Sequence, residues 1–256
     1  MVHIVGAGPG DVELITVKGR RLLETADVII YAGSLVNPEL LKVCRADAKL
    51  FDSAHMTLDE VIYVIEQAEA EKLMTVRLHT GDPSLYGAIQ EQIDEFEHRG
   101  IAFDIVPGVS SFLAAAASLR QEYTLPGITQ TVIITRQNGR TLVPDRESLK
   151  KLAKHQTTIC IFLSIKMIEE VVSDLLEGGL SSDTPIAVVE RASWSNEKII
   201  RGTLETIASQ VRAEKIERTA MIVVGQCLNS QAETYLPSQL YSPKFSHMFR
   251  RAKQNF

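Results

Sequence analysis

The sequence predicts an α/β protein built from two α/β domains, on three observations. Short runs rich in Val and Ile alternate with longer stretches whose apolar residues recur at helical spacing, the pattern of parallel strands covered by helices. Several of those runs stop at turns bearing glycine or proline, such as Gly6-Ala7-Gly8-Pro9-Gly10 and Val106-Pro107-Gly108. Finally, 256 residues with 45% hydrophobic and 23% charged side chains suit two medium globular domains and exclude a disordered, collagen-like or coiled-coil chain.

Taken in order, Val2 to Val5 reads as a strand running into the first glycine turn, and a helix follows from about Ile15 to Glu24. Asp27 to Tyr31 is a second strand. Leu58 to Ala70 is a helix, because Val61, Ile62, Ile65 and Ala68 share one face. Thr75 to Leu78 is a buried strand stopped by His79-Thr80-Gly81-Asp82-Pro83. Phe103 to Val106 is another, after which Ser110 is placed to cap an alanine-rich helix reaching Leu119. Past Pro126-Gly127, strands are predicted at Thr158 to Leu163, Ile186 to Val189 and Met221 to Val224, with a less regular one at Val132 to Thr135. Helices are predicted around Glu147 to Leu152, Lys166 to Leu176 and Leu204 to Val211. The break at Gln121 to Pro126 divides residues 1–120 from residues 121–256, and the tail from Asn229 reads as polar and irregular.

The net charge of −5 argues against a protein that coats nucleic acid by charge, so an anionic ligand must meet a local Arg or Lys cluster. Three widely spaced cysteines, Cys44, Cys160 and Cys227, point to a reducing compartment, and no pair has structural-zinc spacing. The opening residues lack a basic region leading into an apolar core, and no apolar run approaches the roughly 20 residues of a membrane span. A cytoplasmic protein with no membrane or nucleic-acid partner and no bound metal is expected.

Four motifs follow or flank strands. Gly6-Ala7-Gly8-Pro9-Gly10-Asp11 misses the dinucleotide fingerprint, because Asp11 stands where its third glycine belongs and no acidic residue ends the second strand. It reads equally as a tight turn without a ligand. In His79-Thr80-Gly81-Asp82-Pro83-Ser84-Leu85-Tyr86-Gly87, Asp82 could face a cation and Tyr86 could offer it a ring, although an Asp-Pro turn explains Asp82 as well. Ser110-Ser111 open a helix, whose free N–H groups suit a carboxylate or hydroxyl. Arg136 and Arg140 flank a turn suited to bidentate carboxylate recognition, or to nothing beyond a solvated loop. If the strands are parallel neighbours, the first three loops meet on one edge. Trp194 reads equally as packing or as a ligand contact.

Together these loops resemble the tetrapyrrole (corrin/porphyrin) methylase superfamily. Val5 to Gly10 with Leu14 to Gly19 is similar to its first motif, and Val76 through Gly81-Asp82, Tyr86-Gly87 and Pro107-Gly108 to its second. Within it, Tyr31-Ala32-Gly33-Ser34-Leu35-Val36, the stretch His79 to Gln92, Leu125 to Pro144 and the tail Leu240 to Arg250 resemble the branch that methylates C-11 of precorrin-4 or cobalt-precorrin-4 in cobalamin biosynthesis. Ala32 after Tyr31 departs from the uroporphyrinogen-III branch, which typically has Asp there. Gly33 departs from relatives that carry Asp at that position.

The resemblance implies two α/β domains with S-adenosylmethionine (SAM) between them, a homodimer, and S-adenosylhomocysteine (SAH) as product. Residue by residue it implies a cofactor site of Pro9, Thr80, Gly81, Asp82, Leu85, Ser110, Ser111, Leu163, Ala192, Ala220 and Met221. Tyr86, Arg136 and Arg140 are candidates for the tetrapyrrole substrate, and no catalytic acid or base is identified. Three other readings stay open: a methyltransferase of this fold acting on RNA or a protein histidine, a nicotinamide oxidoreductase, and a SAM- or tetrapyrrole-binding protein without activity.

Overall fold

A computed structural model describes residues 1–229 and 235–252, so the tail expectation at residues 230–234 and 253–256 lies outside the described residues. The chain divides into two compact units, Met1–Ala115 with Arg191–Lys198, and Ala116–Glu190 with Ile199–Phe256. The segment Arg191–Lys198 thus packs with the first unit although the chain around it belongs to the second. Among the described residues no helix is long and apolar enough to cross a membrane.

The first unit is built on β1 (Val2–Gly6), β2 (Val28–Tyr31), β3 (Lys49–Asp52), β4 (Thr75–His79) and β5 (Phe103–Val106), in the spatial order β3-β2-β4-β1-β5. Every pairing is parallel. Three helices accompany them, α1 (Val17–Thr25), α2 (Leu58–Ala70) and α3 (Gln90–Arg99), and a fourth, α4 (Ser111–Leu119), opens in this unit, whose boundary falls after Ala115. The Thr16 hydroxyl accepts from Gly19 N and starts α1, two residues later than the apolar spacing suggests. Thr57 and Glu60 form a reciprocal capping box at the start of α2. Both sheet faces are buried. Val2, Ile4, Val28 and Ile30 pack with Val61, Ile62 and Ile65 of α2 and Phe96 of α3, while Val5, Ile29, Val76 and Leu78 pack with Leu23 of α1. Each such side chain contributes about 1.5–3 kcal/mol on burial.

The second unit carries β6 (Val132–Arg136), β7 (Thr158–Phe162), β8 (Pro185–Glu190), β9 (Lys198–Thr203) and β10 (Ala220–Val224), ordered β6-β7-β10-β8-β9. Around it lie α5 (Leu149–Leu152), α6 (Ile168–Glu177) and α7 (Ile207–Ala213), whose Leu149, Val171, Leu175, Ile207 and Val211 pack with Ile159, Ile161, Val188 and Ile222. The expectation of parallel sheets is corrected here. β6 runs parallel to β7, but β10 is antiparallel to both β7 and β8.

β3, β9 and α3 have no counterpart in the sequence reading. β3 has only two apolar residues between charges, and β9 is largely exposed at a sheet edge. α3 buries just Gln92 and Phe96, too sparse an apolar stripe to read by period.

Candidate functional site

Register makes the site. Gly6 of β1 pairs with His79 of β4, and Val5 with Val106 of β5, so the three strands finish level and their following loops share one edge. There the loops meet backbone to backbone. Ala7 N donates to His79 O at 2.7 Å, and Gly8 and Gly81 exchange N–H···O bonds of 3.3 and 2.8 Å. A Cβ on Gly6 would lie 2.6 Å from Gly108 Cα, and one on Gly108 would lie 2.1 Å from Gly81 O. Both positions require glycine because backbone occupies the space a side chain would need.

Asp82 ties this edge together. Its Oδ2 accepts from Gly108 N at 2.9 Å, while Oδ1 accepts from Ser84 N at 2.9 Å and from the Ser84 hydroxyl. Partial burial pushes its carboxyl upward, but those bonds outweigh it and hold the group below its usual range. With both oxygens accepting from backbone or hydroxyl donors, Asp82 braces two loops across the edge. Beyond it the chain is tightly wound. Leu85 N donates to Asp82 O at 3.3 Å, Tyr86 and Ala88 have φ of +55° and +49°, and Tyr86 is 44% exposed. Positive φ at two non-glycine residues marks stored backbone strain of a kind that collects at functional sites.

The glycine turn after β1 is clamped from both sides. Trp194 Nε1 donates to Pro9 O at 3.0 Å and Asn37 Nδ2 to Gly10 O at 2.8 Å, while Ser193 Oγ accepts from Asp11 N at 3.0 Å. A Cβ on Gly10 would run into the indole at 1.9 Å. Trp194 therefore packs directly on the glycine turn. No α-helix opens at this turn, since α1 begins only at Val17 after a 3₁₀ turn (Val12–Leu14), so the helix-dipole support of a dinucleotide pyrophosphate is missing.

In the second unit the antiparallel β10 brings different chain positions to one sheet edge. Ile222 pairs with Ile161, which carries Ala220 to the level of Leu163, and Ala220 itself pairs with Glu190. Arg136 pairs with Phe162 on the next strand. Leu163 is 66% exposed with φ +55°, an unusual state for a leucine. Met221 is buried and Ala220 half-buried. Arg136 donates to Thr141 O, Leu142 O and Gln137 O at 2.9, 3.1 and 3.4 Å, so its guanidinium closes its own loop. Arg140 is exposed at that turn.

A family model, described as Tetrapyrrole (Corrin/Porphyrin) Methylases, matches residues 1–208. The chain belongs to this family. Among curated tetrapyrrole methylases, a protein of Methanocaldococcus jannaschii named Cobalt-precorrin-4 C(11)-methyltransferase is 54% identical over 255 residues, covering 100% of this chain and 98% of the relative. The solved structure of a cobalt-precorrin-4 methyltransferase of cobalamin biosynthesis superposes with a TM-score of 0.88 at 45% identity, covering 90% of this chain and 96% of the other. The structure of uroporphyrin-III C-methyl transferase from Thermus thermophilus complexed with S-adenyl homocysteine gives a TM-score of 0.73 at 26% identity, covering 89% of this chain and 92% of the other.

Within this methylase, the structure gathers Pro9, Thr80, Gly81, Asp82, Leu85, Ser110 and Ser111 on or beside the first unit's loop edge, and Ala192 lies in the returning segment of that unit. Ser110 is buried where α4 begins, with its carbonyl accepting from Leu113 N and Ala114 N. Leu163, Ala220 and Met221 lie along the second unit's edge. Sequence reasoning missed Asp52. Its Oδ1 accepts from Gly33 N at 3.1 Å and Ala54 N at 2.9 Å, and a Cβ on Gly33 would overlap its carboxylate at 2.2 Å. Asp52 ends β3, so reading β3 as a strand would have located it.

Proposed function

We propose that the chain transfers a methyl group from SAM to C-11 of precorrin-4, in its metal-free or cobalt-bearing form, during construction of the corrin ring. The full-length match to the Methanocaldococcus jannaschii relative carries this reading. The residues of the first edge suit the cofactor: side-chain-free backbone at Gly6, Gly81 and Gly108, small hydroxyls at Ser110 and Ser111, and an apolar neighbour in Leu85. Bound there, SAM supplies an electrophilic methyl on its sulfonium. The chain's own residues then hold two partners in line and exclude water, a role in which orientation is worth at most about 7–11 kcal/mol. Asp82 acts by fixing the Gly81 and Gly108 loops against each other. Pro9, Thr80, Ala192, Leu163, Ala220 and Met221 complete the proposed cofactor contacts, while Tyr86, Arg140 and Arg136 are assigned to the substrate. The same reading makes the protein a cytoplasmic homodimer, which light scattering coupled to gel filtration checks.

Titration calorimetry with SAH, followed by incubation with SAM and either tetrapyrrole, tests the proposal. The expected result is micromolar binding and a product heavier by one methyl. Binding without methylation of either form would move the substrate elsewhere, and no binding would overturn the methyltransferase assignment.

A further inference from the structure

β4 is the central strand of the first sheet, flanked by β2 and β1 and covered on both faces, where an unbroken apolar run is expected. Instead Arg77 stands in its middle, 7% exposed. No described carboxylate pairs with it. Its Nε donates to Gln92 Oε1 at 3.0 Å and its Nη1 to Ile30 O of β2 at 3.2 Å. Gln92 is 4% exposed, and its Nε2 donates onward to Ala88 O at 2.8 Å. A buried cation without a counter-ion is costly, and here its partners are a strand carbonyl and one amide, not a charge. That amide ends on Ala88, one of the two positive-φ residues of the wound loop, beside Tyr86. In the same loop a Cβ on Gly87 would sit 2.2 Å from Pro83 O.

We infer that Arg77 and Gln92 are positioning residues that hold the Tyr86–Ala88 turn in its strained conformation, so that Tyr86 meets the tetrapyrrole correctly. This rests on the substrate role proposed for Tyr86. The brace is separate from the cofactor edge, which is fixed by the Gly6–Gly81–Gly108 contacts and by Asp82. It runs from the strand through an amide whose two ends do different work, an acceptor toward Arg77 and a donor toward Ala88.

Gln92→Glu separates those ends. The carboxylate keeps the acceptor and adds a counter-ion for Arg77, but it puts an oxygen against Ala88 O where a donor stood. The expected result is a melting temperature at or above that of the parent and an SAH Kd within two-fold. Tetrapyrrole kcat/KM should fall by about ten-fold, and amide exchange of residues 84–89 should speed by at least the same factor. Adding Ala88→Gly, which takes positive φ without strain, should restore most of the activity. If Gln92→Glu fails to fold, Arg77→Lys is read in the same way, since a lysine keeps the charge but loses the fork. Unchanged kcat/KM and exchange would overturn the inference, as would an SAH Kd weakened as much as kcat/KM, or no rescue by Ala88→Gly. Failure of the functional reading shows separately, as absence of methylation by the parent protein, and leaves the exchange test standing.

Discussion

In the first unit the candidate residues follow strands, whereas in the second two of them, Ala220 and Met221, open one. The cause is strand direction. Parallel β4, β1 and β5 deliver only carboxyl ends to their edge, so every loop there comes after an apolar run. The antiparallel β10 delivers its amino end to the level where β7 and β8 finish. The two edges also differ in what makes them. The first is made by backbone touching backbone at glycine, and the second by side chains. Gln137 N donates to Ser164 Oγ at 2.8 Å, Gln137 Nε2 donates to Asp174 Oδ2 at 2.7 Å, and Arg136 closes the next turn. At Gly6 and Gly108 the backbone-built edge has no room for an added atom, while a side-chain-built edge can be trimmed piece by piece.

The sharpest way to break that contrast is to add a side chain to each edge. Gly108→Val drives a branched group into Gly81 O and the Gly6 backbone and should destabilise the first unit by about 3 kcal/mol or more, with loss of measurable SAH binding. Gly139→Ala on the second unit's turn meets only the Met167 side-chain end at 3.4 Å and should change stability by no more than about 0.5 kcal/mol. Chemical denaturation and calorimetry read both. Equal effects would end the distinction.

Acid should find the first unit before the second. His79 is buried at the end of β4, its Nε2 has no described partner, and burial with the nearby Arg77 charge holds its imidazole down to about 3 from an ordinary 6.5. Because the folded value is depressed, its contribution is present in full above about pH 6.5 and is lost as pH falls toward the folded value. Between pH 7 and pH 4.5 that amounts to roughly 2–3 kcal/mol. Trp194, the chain's only tryptophan, belongs to the first unit, so its fluorescence in urea reports this loss directly. His79→Phe should flatten the dependence, and an unchanged slope would mean another group carries it.

A smaller effect is expected from Trp194→Phe, which keeps an aromatic ring, though a smaller one, and removes the donor to Pro9 O. A single hydrogen bond of this kind is worth about 1 kcal/mol, so SAH affinity should weaken by about five-fold if the Pro9 turn touches the cofactor. Unaltered affinity with the same loss of stability would reduce the turn to architecture.

How much of this was legible follows the same contrast. β1, β4 and β5 were readable as short stretches bearing Val, Ile or Leu that end at turns with glycine, even though His3, Arg77 and Asp104 interrupt them, and those turns share an edge only if the strands are parallel neighbours. The Gly6–Gly108 contact was not, because the residues lie far apart in sequence and only register joins them. The second edge was less legible. Nothing local to Ala220 says that β10 runs backward, and those residues entered only through resemblance. Asp52 was lost with β3, whose two apolar residues carry no period. The return of Arg191–Lys198 to the first unit has no sequence signal beyond a tryptophan between small residues.

The arginines give the finest test, because they share one turn and differ in what holds them. Arg136 spends its donors on three carbonyls of its own loop, so Arg136→Ala should cost about 1–2 kcal/mol of stability, and any rise in tetrapyrrole KM should come with it. Arg140 is exposed, and an exposed cation facing a carboxylate is worth about 0.2–1 kcal/mol. Arg140→Ala should therefore raise tetrapyrrole KM by about two- to five-fold at unchanged stability and unchanged SAH affinity. A salt titration sharpens it: the parent's KM should climb toward that of Arg140→Ala as ionic strength rises, since screening removes the same interaction the substitution removes. If Arg136→Ala raises KM at full stability while Arg140→Ala does nothing, the guanidinium that closes the loop is also the one that meets the substrate, and the side-chain-built edge has a binding function in the group that shapes it.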